Sequence, residues 1–362
     1  MIFMKKNSKN LPERLILFVT TKCNLRCKHC FFSYALNKEV QELKPKDVKK
    51  IMDNYSGSLK NIIITGGEPF LNENLADIVS NLKSDSVSIP TNGNCPDLIL
   101  EKTEEIMKKT KTVGKINISV SLDGPENIHD NIRGVRNSYK KALETFHGLK
   151  ELEKKYPDLF AGFGATISDL NIDYLEEMAE FAWNLGEKSG FQFTRSVKQS
   201  NLPQDLRMDA FPLDEPLTMS NDFLGKIIEK INVIKNIYFK NLAMDLKHPK
   251  SAKDSLKALI DYFTSLSRLR AFLVTIKNKK RTLICFAGDK IGVIYPNLDV
   301  SFCEFMKPIG NLKDYNFKLQ DIWFSPKAND MRKIVSKCFC THPCFVSYKK
   351  YDIRRFGSIF WI

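Results

Sequence analysis

A chain of 362 residues, 43% hydrophobic and 27% charged, has the balance of a globular protein with room for one large domain and a smaller appendage. Its net charge of +14 comes from lysines spread through helical patterns such as EEIMKKTKTVGK and GLKELEKKY, without an arginine–aromatic tract. We read that charge as a solvated basic face, with an acidic peptide or phosphorylated substrate as the next account and nucleic acid ranked below both.

The first residues, MIFMKKNSKNLPERLILF, place lysines and a proline where a secretion signal needs an unbroken apolar stretch. No apolar run of about 18 residues occurs anywhere, so no membrane span is expected and the protein is placed in the cytoplasm. Its nine cysteines are then reduced thiols. From there the chain alternates. Strands are expected at LILFVTT (15–21), NIIITGG (61–67), SVSIPTNG (86–93), KINISVSLDG (115–124), FAGFGATIS (160–168) and GFQFTRS (190–196). Between them run helical patterns, among them PKDVKKIMDNY with Pro45 in its first turn. Another is NIDYLEEMAEFAWNL, where Asn171 or Asp173 is a candidate cap. Strand–helix alternation of this kind implies a parallel sheet, whose chemistry collects at the carboxyl ends of the strands.

After Ser196 the proline-rich VKQSNLPQDLRMDAFPLDEP reads as a linker or surface excursion. Two helices are expected next, at DFLGKIIEKINVIKNIYF (222–239) and AKDSLKALIDYFTSLSRLRAF (252–272), and a cysteine-rich segment begins near Arg281. The expected organisation is an α/β partial (β/α)6 barrel over residues 1–200, a helical connection over 201–280 and a smaller α+β domain over 281–362.

Three cysteines, Cys23, Cys27 and Cys30, stand in TKCNLRCKHC directly after the first strand. Zinc sites favour four ligands and C-x2-C spacing, so a lone C-x3-C-x2-C suits zinc poorly. Three soft thiolates suit a four-iron cluster and leave one iron without a protein ligand, open to a small molecule.

These residues resemble the radical SAM superfamily. Its hallmark is this C-x3-C-x2-C loop, with His29 at the aromatic position before the last cysteine. GGEP at the end of the second strand (Gly66, Gly67, Glu68 and Pro69) is similar to the motif that binds the amino end of S-adenosylmethionine. SLDGPENIHDNIRG (121–134) is similar to a stretch found in the branch with extra clusters. The resemblance implies a 4Fe-4S cluster on the three thiolates, S-adenosylmethionine on its open iron, and a flavodoxin- or ferredoxin-type electron donor. Reductive cleavage then yields a 5′-deoxyadenosyl radical that abstracts hydrogen from a substrate carbon. Glu68 or the carbonyls near Gly66 and Gly67 are candidates for the ammonium, Arg133 for the carboxylate, and Ser121 or Asp123 for the ribose. Asn92 with Gly93 is a candidate lining residue of the pocket, and Thr166 or Ile167 could touch adenine.

Towards the C-terminus, CFAGDKIGVIYPNLDVSFC sets Cys285 and Cys303 at the ends of an expected hairpin, followed by Cys338, Cys340 and Cys344 in KCFCTHPC. The pattern resembles the SPASM/Twitch extension. A full SPASM domain with two clusters needs more than the five cysteines present, so the resemblance implies one auxiliary 4Fe-4S cluster, with a closed zinc site as the rival. Cys285, Cys303, Cys340 and Cys344 are the expected ligands. Cys338 is then the spare, and a candidate hydrogen donor to a substrate radical. Cys95 is expected to be an inert small residue and His342 a turn residue.

The substrate is not written in the first half. A peptide or protein side chain ranks first by the extension's usual company, and a sugar, aminocyclitol or other small molecule second. The first strand begins near residue 15, which argues against a preceding peptide-recognition domain. The rival from another class is a metal-bound nucleic-acid-binding or electron-transfer protein, against which GGEP and SLDG tell. Oligomeric state is left open.

Overall fold

The structure is a computed structural model, and it describes residues 10–194, 221–247, 249, 251–278 and 285–338. The proline-rich excursion (197–216) and the ligand candidates Cys340 and Cys344, together with His342, lie outside the described residues.

All six expected strands form. They are β1 (Arg14–Thr20), β2 (Asn61–Gly66), β3 (Val87–Thr91), β4 (Ile116–Ser121), β5 (Leu159–Ile167) and β6 (Phe191–Phe193), each parallel to the next. Helices α1 (Pro45–Asp53), α2 (Leu75–Ser80), α3 (Pro96–Lys109), α4 (Glu126–Arg133), α5 (Ser138–Lys155) and α6 (Leu175–Asn184) supply the crossovers. In α1 the buried residues Val48, Ile51 and Met52 stand at helical spacing on one face. The chain has the open α/β sheet of a partial TIM-like barrel, followed by a C-terminal domain.

That sheet does not stop at β1. Its order is β6-β5-β4-β3-β2-β1-β7-β8-β9, where β7 (Ile291–Ile294), β8 (Asp299–Ser301) and β9 (Gly310–Asn311) come from the C-terminal segment. Strand β7 pairs parallel with β1, from Arg14↔Ile291 to Leu17↔Ile294, and β8 turns back antiparallel on β7. β1 is therefore an interior strand with neighbours on both sides. This explains why RLILFVT is apolar without alternation, and every residue after Arg14 is buried. Helices α10 (Leu319–Trp323) and α11 (Pro326–Val335) follow β9. Trp323 is fully buried against Gly292 of β7, where a Cβ would come within 2.9 Å of the indole. Ser325 caps α11, its hydroxyl accepting from Ala328 N.

The core therefore divides differently from the sequence segments. One apolar cluster runs from β1–β5 through β7, β8, α10 and α11. A second joins the ends of β5 and β6 to α6, α7 (Asn221–Glu229), α8 (Ile231–Lys247) and α9 (Ala252–Asn278). The single helix expected over 222–239 is two, α7 and α8, and the second continues to Lys247. Helix α9 extends past its expected end to Asn278. No helix among the described residues is long and apolar enough to cross a membrane.

Candidate active site and metal centres

The loop carrying Cys23, Cys27 and Cys30 leaves the carboxyl end of β1 and is gripped from three sides. The first grip is β2. Gly67 N donates to Thr20 O at 2.9 Å and Glu68 N to Lys22 O at 2.8 Å. A Cβ on Gly67 would lie 2.0 Å from Lys22 O, and one on Gly66, whose φ is +136°, 2.3 Å from Thr20 O. Gly66 thus admits the last carbonyl of β1, and Gly67 the backbone of the cysteine loop.

The second grip is the end of α4. Arg26 N donates to Arg133 O and Lys28 N to Ile132 O, so the residues on both sides of Cys27 are tied to one helix terminus. Gly134, at φ +73°, ends that helix, and a Cβ there would meet Arg26 O at 2.8 Å. Third, Asn37 brackets Cys23: Cys23 N donates to Asn37 Oδ1 and Asn37 Nδ2 donates to Cys23 O, both at 3.0 Å. Asn37 stands at a left-handed φ of 57°, a position asparagine tolerates well, yet nothing local in the sequence marks it as a partner of Cys23.

Two buried carboxylates organise the pocket behind the loop. Glu68 Oε1 accepts from Phe70 N and Thr91 Oγ1, and its Oε2 accepts from Asn92 N at 2.8 Å. Its first work is thus to join the ends of β2 and β3, with at most part of Oε2 left for an ammonium. Burial pushes its carboxyl up to about 7. Asn92 Nδ2 donates in turn to Asn24 Oδ1 on the cysteine loop. Asn24 Nδ2 donates to Cys95 Sγ at 3.1 Å, so the thiol expected to be inert is a partner of that loop.

Asp123 and Arg133 correct a second expectation. Arg133 was a candidate for the cofactor's carboxylate and Asp123, as the alternative to Ser121, for its ribose. Instead they form an ion pair with each other, Arg133 Nη2 to Asp123 Oδ2 at 2.6 Å, with Asp123 fully buried and Arg133 7% exposed. Asp123 Oδ1 accepts from Thr166 N at 2.9 Å. The charge of Arg133 keeps its carboxyl below the usual carboxylate range despite burial. His29 Nε2 lies 3.8 Å from the same Asp123 oxygen, and burial lowers its pKa to about 4. His129 Nδ1 accepts from Asp123 N. Asn171 does not cap a helix with its side chain. It is fully buried, and its Nδ2 donates to Asp123 O and Thr166 O, joining the ends of β4 and β5. Ile167 is fully buried in the second core. Ser121, half-buried, ends β4 beside Gly164 of β5. Pro69 opens a buried 3-10 turn.

The loop suits an iron–sulfur cluster. Burial pushes the Cys23 thiol up to about 11 and the Cys30 thiol to about 12, and the neighbouring cysteines add to both shifts. Ionising such a set is costly until a cationic centre takes it over, and metal coordination deprotonates a thiol outright. Among the described residues no three His, Cys, Asp or Glu side chains converge as the ligands of a single metal ion. In a four-iron cluster each thiolate takes a different iron, so its ligands need not converge on one point. Beside the loop, His29 Nδ1, Arg133 Nε and Asn94 Oδ1 are buried without a hydrogen-bond partner, as polar groups lining a ligand site are.

In the C-terminal domain the expected hairpin is β7–β8, and Cys285 and Cys303 flank it, both buried in the main core. Cys338 follows α11 and packs against the same core.

Comparison with known proteins agrees with this geometry. Residues 17–182 match the radical SAM superfamily and residues 285–345 match SPASM, an iron–sulfur cluster-binding domain. An uncharacterized protein of Methanocaldococcus jannaschii is 32% identical over 66% of this chain and 76% of its own length. The Fe-coproporphyrin III synthase of Methanosarcina barkeri is 30% identical over 48% of this chain and 46% of its own length. The chain thus spans about half of that relative's length. The crystal structure of Streptococcus suis SuiB bound to the precursor peptide SuiA shares the fold, with a TM-score of 0.56 at 17% identity, over 90% of this chain and 68% of that one.

The chain belongs to the radical SAM superfamily and carries a C-terminal SPASM domain. Its cofactors are a SAM-binding 4Fe-4S cluster, S-adenosylmethionine and auxiliary iron–sulfur.

Proposed function

We propose that this enzyme abstracts hydrogen from a peptide or protein side chain, with its radical centre on Cys23, Cys27 and Cys30. The observation that carries the placing of the radical centre is the threefold grip on the cysteine loop by Gly66–Glu68, the end of α4 and Asn37. When bound, the cluster supplies the electron that cleaves S-adenosylmethionine reductively, and the abstracting radical follows from that cleavage. The residues of the chain hold and orient. Glu68 and the backbone around it would hold the cofactor's ammonium, while Arg133 and Asn92 flank the loop. The continuous packing of β1 against β2 and β7 keeps the loop's base out of water.

In the C-terminal domain, Cys285 and Cys303 supply two auxiliary ligands, and Cys340 and Cys344 complete the set, leaving Cys338 as the spare thiol. The peptide reading is supported by the fold likeness to SuiB, which spans both domains. The likeness to Fe-coproporphyrin III synthase favours a second reading, a small molecule rich in carboxylates, to which the net charge of +14 is suited. The test is anaerobic reconstitution followed by assay of 5′-deoxyadenosine. Peptide libraries and porphyrin carboxylates are supplied in parallel, with deuterium transfer from substrate into 5′-deoxyadenosine as the readout. Turnover without deuterium transfer from any peptide, alongside transfer from a porphyrin, would replace the first reading by the second.

A further inference from the structure

Cys27 is treated differently from its two companions. Arg133 Nη1 donates to Cys27 Sγ at 3.6 Å, while Nη2 of the same guanidinium sits on Asp123. The contact is held from both ends. Arg26 and Lys28, which flank Cys27, are hydrogen-bonded through their backbone N–H groups to Arg133 O and Ile132 O. Asp123 is fixed through its Oδ1 by Thr166 N, through its carbonyl by Asn171 Nδ2 and through its own N–H by His129 Nδ1. The backbone on both sides of Cys27 and the carboxylate that pairs with the guanidinium are thus each tethered by hydrogen bonds.

We propose that Arg133, pinned by Asp123, is a positioning residue that donates to the Cys27 sulfur and raises the reduction potential of the centre on Cys23, Cys27 and Cys30. The inference rests on the reading of that loop as the cluster's binding site. Hydrogen bonds to the sulfurs and nearby net charge are two of the levers that set such potentials. A cation beside a thiolate favours the state carrying the extra electron, and the Asp123 carboxylate beside it moderates that effect. The two members of the pair therefore pull the potential in opposite directions. A mere strut predicts something else: loosening either end would disturb the loop in the same way.

The test uses the full chain, reconstituted anaerobically with iron and sulfide, in the wild type and in Arg133→Met, Arg133→Lys and Asp123→Asn. Iron is counted first. Each protein is then titrated potentiometrically by electron paramagnetic resonance without S-adenosylmethionine, so that cofactor affinity does not enter. The barrel signal is assigned as the one that changes when S-adenosylmethionine is added to a parallel sample. Arg133→Met should lower the equilibrium constant for uptake of one electron on the order of tenfold, about 59 mV. Asp123→Asn should raise it, and Arg133→Lys should stay near the wild type. Unchanged potentials at full iron content, or shifts of both neutral variants in one direction, overturn the proposal. If Arg133→Met loses its iron, Asp123→Asn alone carries the sign, and a fall or no change there is equally fatal. A wild type that takes up no barrel iron would sink the underlying site reading instead, which is a separate outcome.

Discussion

The two cysteine regions differ in how much of their support is polar and how much is core packing. Around Cys23, Cys27 and Cys30 the supports are polar: backbone ladders to β2 and α4, the Asn37 bracket, and a buried ion pair. Around Cys285 and Cys303 apolar packing is added to local polar bonds: both thiols are buried in the main core with Tyr295, Phe302, Phe305 and Trp323, and the Ser301 hydroxyl donates to Cys303 O. The difference reflects what each must do. A loop that presents an open iron to a polar cofactor needs hydrogen-bonded rigidity with ligand-facing groups left over. A domain that adds strands to the barrel sheet needs burial. The two also meet: Phe31, beside Cys30, packs edge-on against Phe305 at 6.4 Å, and Phe18 of β1 lies 4.9 Å from Tyr295.

The comparison can be broken most sharply at the barrel loop. Changing Cys23, Cys27 and Cys30 together to alanine should abolish 5′-deoxyadenosine formation and remove about four irons per chain. The melting temperature of the iron-free protein should stay near the wild-type value, because the loop is held by backbone and asparagine contacts. An iron-free triple variant that no longer folds would show that the thiols themselves are structural.

Next in size is Trp323→Ala, which empties the contact between α10 and β7. It should cost about 3–5 kcal/mol in chemical denaturation. Because one core spans both domains, the loss should appear as a single transition for β1 and β7. Two separated transitions would mean that the C-terminal strands are an independent unit.

Glu68→Gln sharpens the polar side. The wild-type carboxyl is raised to about 7, so between the ordinary carboxylate value and pH 7 the folded chain holds a proton that the unfolded chain has lost. Stability of the iron-free protein should therefore fall as pH rises through that window and level off above it. Relative to the wild type, the glutamine variant should lack that component of the slope. Parallel urea curves from about pH 5 to about pH 8 would show otherwise.

The smallest effect is expected for Cys303→Ala. Removing a buried thiol should cost roughly 1 kcal/mol in the iron-free chain, by analogy with small core truncations. Its iron loss should be confined to the auxiliary centre, with 5′-deoxyadenosine still formed in the absence of substrate. Loss of the barrel signal as well would mean that the two regions assemble as one.

Much of this was legible in the residues. The six parallel strands follow from β-branched runs separated by helical patterns, since these carry their period locally. The cysteine triplet, GGEP and SLDG are local motifs too, and their positions at strand ends fix which edge of the sheet is chemical. What the sequence left open is everything set by distant partners. That β7 inserts beside β1 depends on a pairing between residues 14–17 and 291–294, which no local pattern encodes. That Asp123 and Arg133 pair depends on the turn between β4 and α4, which sets residue 123 beside a side chain at the far end of that helix. That Glu68 also joins β2 to β3, Asn92 reaches Asn24, and Asn171 joins β4 to β5 depends on distant partners in the same way. A side chain's hydrogen-bonding capacity is a property of the sequence, and which partner uses it is decided only by tertiary packing.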